Sequence, residues 1–210
     1  MTRRILSAAA AFAALCTAAS AEPEILMTPQ YFTVTGVAAN DVLNIRAEAS
    51  GSAEIVGALA PGAGPVEVVM TDGDWGRVSA GDQSGWVSMK FLEPRAMETL
   101  PETPIPAGLR CLGTEPFWSL TLDAGSLRYS DPEGAALSLP LSASGSFVAR
   151  PHRFYVEAGE GGGTISAIIS SAELCSDGMS DRDYGWAVDF LRRDADGISG
   201  LTGCCMRPLD

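Results

Sequence analysis

Val42-Leu43-Asn44-Ile45-Arg46 and, further along, Gly73-Asp74-Trp75-Gly76-Arg77-Val78 decide how the first half of the chain reads. Leu43 and Ile45 fall on one face and Asn44 and Arg46 on the other, the period of two that a half-wet strand requires. Working outward, residues 31–37, 54–59, 66–70, 75–78 and 85–88 are further short runs with strand patterning. Asp72-Gly73-Asp74 and Gly81-Asp82 supply turn chemistry between successive runs. The pattern predicts a small barrel of about 60 residues, a size that folds alone.

The second half carries the same signal. Residues 117–122, 126–130, 136–141, 144–148, 153–157, 164–169, 184–191 and 197–204 give eight candidate strands, and Leu120 and Leu122 alternate with Thr121 and Asp123. A closed antiparallel barrel, or a sandwich, hides the edges of so many short strands. No stretch keeps helical periodicity for three turns; the best candidate, residues 172–175, is one turn. Between the halves, residues 94–109 read PRAMETLPETPIPAGL, with prolines at 94, 101, 104 and 106. Proline fixes φ, so this stretch predicts a semi-rigid linker between an N-terminal unit, 31–93, and a C-terminal unit, 110–210. The fold class is all-β.

Arg3 and Arg4 precede a 15-residue apolar stretch ending in Ala19-Ser20-Ala21, the small residues signal peptidases cut behind. Residues 1–21 therefore read as a signal peptide cleaved after Ala21, too short to span a bilayer as a helix. Leu15 before Cys16 breaks the lipidation pattern. Removing 21 residues leaves 189 and moves the net charge from -12 to -14, because the segment holds two arginines and no acid. So acidic a product repels nucleic acid, which is not expected as a partner, and anionic lipid surfaces. No second apolar run reaches membrane length, and a periplasmic or secreted product in an oxidising compartment is expected.

Cys111, Cys175, Cys204 and Cys205 are then an even set confined to the C-terminal half, which predicts two disulfides. A vicinal 204–205 bridge is strained, so Cys111 and Cys175 pair with Cys204 and Cys205. Which joins which stays open: on the chain-entropy model the bridges contribute about 3.5 and about 4.7 kcal/mol, a gap that native-state strain erases. Zinc is disfavoured, because no Cys-x-x-Cys occurs and His152 is the only histidine. Neither a metal nor another cofactor is expected.

The run Val42-Leu43-Asn44-Ile45-Arg46-Ala47-Glu48-Ala49-Ser50, then Pro61-Gly62-Ala63, Gly73-Asp74-Trp75-Gly76-Arg77-Val78 and Gly85-Trp86-Val87, resembles the bacterial SH3 domain family in order and spacing. Ala49 departs from it, standing where the family often has proline. The resemblance covers Tyr31 to about Leu92 and implies a non-catalytic SH3-like barrel that contacts cell-wall peptide or a partner protein of the envelope. In that frame Trp75 and Trp86 offer flat contact surfaces and Arg46 a bidentate partner for a carboxylate. The competing reading makes both tryptophans core residues and Arg46 a donor to a backbone carbonyl.

In the C-terminal unit, Gly113-Thr114-Glu115-Pro116-Phe117-Trp118, Cys175-Ser176-Asp177-Gly178-Met179-Ser180-Asp181 and Gly203-Cys204-Cys205 resemble a family of bacterial envelope domains that implies no particular reaction. Glu115 beside Phe117 and Trp118 suggests a carboxyl desolvated by aromatic walls, with Asp177 or Asp181 as its ionised partner, the pair that glycoside hydrolysis needs. The competing reading has Glu115 and Pro116 forming a turn, with Asp177 and Asp181 bonding backbone amides. His152, between Pro151 and Arg153, reads as solvated surface. GEGGG at 159–163 reads as a hairpin without phosphate-cradle residues, and residues 194–197 as a strand turn lacking the acid that calcium needs.

These readings lead to a non-enzymatic exported binding protein of the envelope, with peptidoglycan or an envelope protein as partner. Two alternatives remain: a wall hydrolase using Glu115 with Asp177 or Asp181, and a carrier holding a small apolar ligand between Phe117, Trp118 and Trp186.

Overall fold

In a computed structural model, residues 22–160, 163–171, 173–195 and 197–210 are described. The expected signal peptide, Cys16 and the Ala21 cleavage point lie outside them, as do Ala172 of the one-turn helix candidate, Gly161 and Gly162 of GEGGG, and Asp196 of the 194–197 turn.

The N-terminal unit is built from β1 (Glu24–Val34), β2 (Leu43–Arg46), β3 (Ile55–Leu59), β4 (Val66–Asp72), β5 (Trp75–Ala80), β6 (Gln83–Ser88) and β7 (Leu92–Pro94), with a 3-10 turn at Met89–Phe91. They form one SH3-like sheet in the order β3-β2-β6-β5-β4-β1-β7. Leu43, Ile45, Val66, Val68, Val78 and Val87 point to its buried side, as the alternation requires. β1 starts well before Tyr31, where the sequence signal began, and a register irregularity between Ile25 and Gln30 lets the extension continue along β4.

The C-terminal unit comprises β8 (Leu109–Thr114), β9 (Phe117–Leu122), β10 (Ser126–Ser130), β11 (Ala136–Phe147), β12 (Arg150–Glu160), β13 (Gly163–Ser170), β14 (Trp186–Asp194) and β15 (Gly197–Met206). Consecutive strands pair antiparallel, and β15 returns to β8 to close an eight-stranded barrel. Closure settles the open choice between barrel and sandwich. β9 and β10 match the predicted runs residue for residue, whereas 136–141 and 144–148 merge into one strand through an irregularity between Leu141 and Ala143. β8 was hidden in the sequence because its start adjoins the proline-rich stretch and its end the Gly113–Trp118 motif. Its partner strand explains a motif glycine: a side chain on Gly113 would run into the indole of Trp118, its cross-strand neighbour.

Cys111 bonds Cys205 and Cys175 bonds Cys204, so the bridges run to the adjacent pair as expected. Cys111 and Cys205 are directly opposite across the β8–β15 seam, with Cα atoms 3.9 Å apart. The first bridge therefore fastens the point at which the barrel closes. The second ties the segment before β14 to β15.

Residues 94–109 are not an exposed spacer. Leu100 and Ile105 are fully buried in the core of the barrel, alongside Leu109, Leu122 and Leu127. Leu100 N–H donates to the Ile105 carbonyl and Ala107 N–H to that of Glu98, folding the stretch back on itself as a hairpin-like plug. Two apolar side chains among four prolines outweigh the preference for extended solvated backbone, since each buried leucine or isoleucine contributes about 1.5–3 kcal/mol.

Candidate functional site

Where the two units meet, side chains from both form one network. Trp186 Nε1 donates to Tyr31 Oη at 3.0 Å, and Tyr31 donates to Glu67 Oε2 at 3.1 Å. Glu67 Oε2 also accepts from Arg207 N–H at 2.8 Å. Removal from water pushes the Glu67 carboxyl up from 4.5 to about 7, although the donors from Arg207, Tyr31 and Gly185 pull the other way. The segment between β13 and β14 acts as a strap: Asp181 N–H donates to Asp82 O, Ser84 N–H donates to Asp181 O, and Asp183 N–H donates to Ser84 Oγ. Arg77 bonds the Asp183 carboxylate and lies over the Trp86 ring, 5.4 Å from its centre. Arg182 reaches the Gly81 carbonyl, and Arg95 bonds Asp210 at the chain's end.

This geometry distributes the tryptophans and Arg46. Trp86 is 7% exposed, covered by Arg77, and its neighbour across β2 and β6 is Arg46. Arg46 donates to the Ala53 carbonyl at 2.7 Å. Trp75, at the start of β5 opposite Ser88, stays half-buried. Trp118 is 4% exposed and stands edge-on to Phe190 inside the barrel, with ring centres 4.9 Å apart. Trp186 is also interior, whereas Phe117 is 56% exposed, so these three rings do not surround a common ligand space.

Glu115 sits exposed on the turn between β8 and β9, before the cis Glu115–Pro116 bond. The aromatic walls expected around it are absent, since its two ring neighbours in sequence point to the core and to solvent. It shares a hollow of about 360 Å³ with Asp177 and the Cys175–Cys204 bridge. Asp177 is occupied elsewhere. Partial burial opposes its charge, but Ser180 and Met179 amides and the Tyr184 and Ser180 hydroxyls hold its carboxyl down to about 2. Thr114 Oγ1 donates to its carbonyl, and the strap keeps its shape. Asp181 contributes backbone groups to the contact between units.

Among the described residues no group of three or more His, Cys, Asp or Glu is placed to hold a metal, and no helix is long and apolar enough to cross a membrane. Sequence reasoning gave no site role to Tyr31, Glu67, Arg77 and Asp183, which are remote from one another along the chain; Arg77 was quoted within the Gly73–Val78 motif, but nothing there announces its partner Asp183.

The N-terminal unit is thus a small SH3-like sheet docked on a closed, disulfide-stapled barrel. Residues 41–93 match the bacterial SH3 domain family. No curated protein and no solved structure shows significant similarity to the chain.

Proposed function

We propose that the chain is an exported, non-catalytic binding protein of the bacterial envelope, whose SH3 unit contacts cell-wall peptide through the surface around Trp75. The family match over 41–93 carries this reading, since the bacterial SH3 domain is commonly a cell-wall-binding module. Two disulfides fit an oxidising compartment outside the cytoplasm. Of the three binding residues considered in this unit, Trp86 is buried beneath Arg77 and Arg46 is engaged by Ala53, which leaves half-buried Trp75 as the ring free to gain contact.

The test is co-sedimentation of the disulfide-bonded protein with isolated sacculi. Retention should fall about tenfold in Trp75→Ala, the scale of one truncated aromatic anchor, and stay unchanged in Glu115→Gln. If the unaltered protein stays in the supernatant, the reading is wrong; if Glu115→Gln alone stops release of soluble wall fragments, the hydrolase replaces it.

A further inference from the structure

Arginine is scarce and mostly spoken for in this acidic chain, with 26 acids against 14 lysines and arginines. Arg77, Arg95, Arg128, Arg192 and Arg207 each bond an aspartate. Arg46 and Arg182 reach backbone carbonyls. Among the described residues Arg150 and Arg153 make no ion pair, and both line one hollow of about 590 Å³.

That hollow lies where β12, β13 and the strap meet the β1 extension. Arg153 stands opposite Ser170 across β12 and β13. Ser171 N–H donates to the His152 carbonyl at 3.0 Å, and Ser171 Oγ donates to the Met27 carbonyl at 2.6 Å, so the wall is tied to both units. His152 also lines the hollow. Its Nδ1 is buried with no hydrogen-bond partner, which corrects the expectation of a solvated surface histidine. Met27 and Leu174 add apolar surface, and Glu173 is the one acid on the wall.

We propose that this hollow binds a small ligand bearing a carboxylate or phosphate group. The arginine forks match either oxyanion geometrically, Ser170 supplies a further polar contact, and Met27 and Leu174 flank a short apolar part. Arg150 and Arg153 carry two positive charges against the single carboxylate of Glu173 on the hollow's wall, which makes this spot locally positive in a molecule whose overall charge is negative. The site does not depend on wall binding by the SH3 unit, because none of its residues lies in 41–93.

The experiment is an amide NMR titration of the oxidised full-length mature protein with inorganic phosphate and separately with glutarate, against sodium chloride at matched ionic strength. Saturable shifts centred on residues 150–153 and 170–174 are expected with at least one probe, and the probe that saturates at lower concentration identifies the group recognised. Arg150→Gln with Arg153→Gln should weaken that binding at least tenfold, while Arg110→Gln, on an exposed arginine outside the hollow, should leave it unchanged. Near-UV circular dichroism checks that the double variant keeps its fold; if it does not, Arg153→Lys serves instead, which keeps the charge, loses the fork and should weaken binding severalfold. Shifts with both probes that only track the chloride control, or a folded variant that binds as the parent does, would overturn the proposal.

Discussion

In the second unit β15 returns to pair with β8, and Cys111–Cys205 is fixed across that seam. In the first, the hydrogen-bonded order stops at β3 and β7, strands of five and three residues. Open edges invite pairing with other chains, and short strands limit that exposure. The larger unit removes its edges and locks the closure covalently. The smaller one gains order by docking: its β5–β6 hairpin meets the strap at Asp181 and Asp183, and Glu67 and Tyr31 bond Arg207 and Trp186. Stability in one unit is covalent and internal, whereas in the other part of it is borrowed across a polar interface.

The sharpest way to break this contrast is to unlock the seam. Cys111→Ala with Cys205→Ala reopens a loop of 94 residues and should destabilise the barrel by about 4.7 kcal/mol on the chain-entropy model, read by denaturant unfolding under oxidising conditions. Next, Leu100→Ala should cost about 3 kcal/mol, because a fully buried leucine leaves a cavity; at an exposed spacer position the change would stay within about 0.5 kcal/mol.

The interface itself has a pH signature. Glu67 binds its proton more tightly folded than unfolded, so its contribution is fully present below about 4.5 and is lost as pH rises through about 7. The change should be about 2 kcal/mol, short of the full shift because Glu67 keeps some accessible surface, and Glu67→Gln should flatten that part of the stability profile. Asp177 runs the other way: its contribution is present above 3.8 and is lost as pH falls towards about 2. A profile that is flat from 4.5 to 7 in the parent protein would remove Glu67 from this account. The smallest effect belongs to Arg77 and Asp183, whose side chains stay about a quarter exposed. A double-mutant cycle should return a coupling of at most about 1 kcal/mol.

Much of the architecture was legible because strand periodicity is local. Leu43 and Ile45, or Leu120 and Leu122, declare a buried face within a few residues, and tight turns at Asp72–Asp74 and Gly81–Asp82 need only their own side chains. The plug was illegible for the opposite reason: four prolines mark residues 94–109 as irregular, but burial of Leu100 and Ile105 depends on an opening in a barrel not yet built at that point in the chain. The candidate site residues divide similarly. Arg46, Trp75, Trp86, Glu115 and Trp118 were visible by type, yet their accessibility follows from contacts with Ala53, Arg77 and Phe190 that no spacing announces. His152 was read from its neighbours Pro151 and Arg153, while its surroundings come from strands and a strap that converge only after folding.

The sequence alone determined the all-β class, the resemblance of 31–92 to bacterial SH3 domains and the sorting of Cys111 and Cys175 against the 204–205 pair, since each rests on side-chain alternation, motif order or local backbone geometry. Only the tertiary structure decided which cysteine bonds which, where Glu67 loses its water and how Met27 and His152 come to line one hollow. Those outcomes depend on strand register and barrel closure between residues far apart, where alternative loops differ too little in entropy for the chain's order to choose among them.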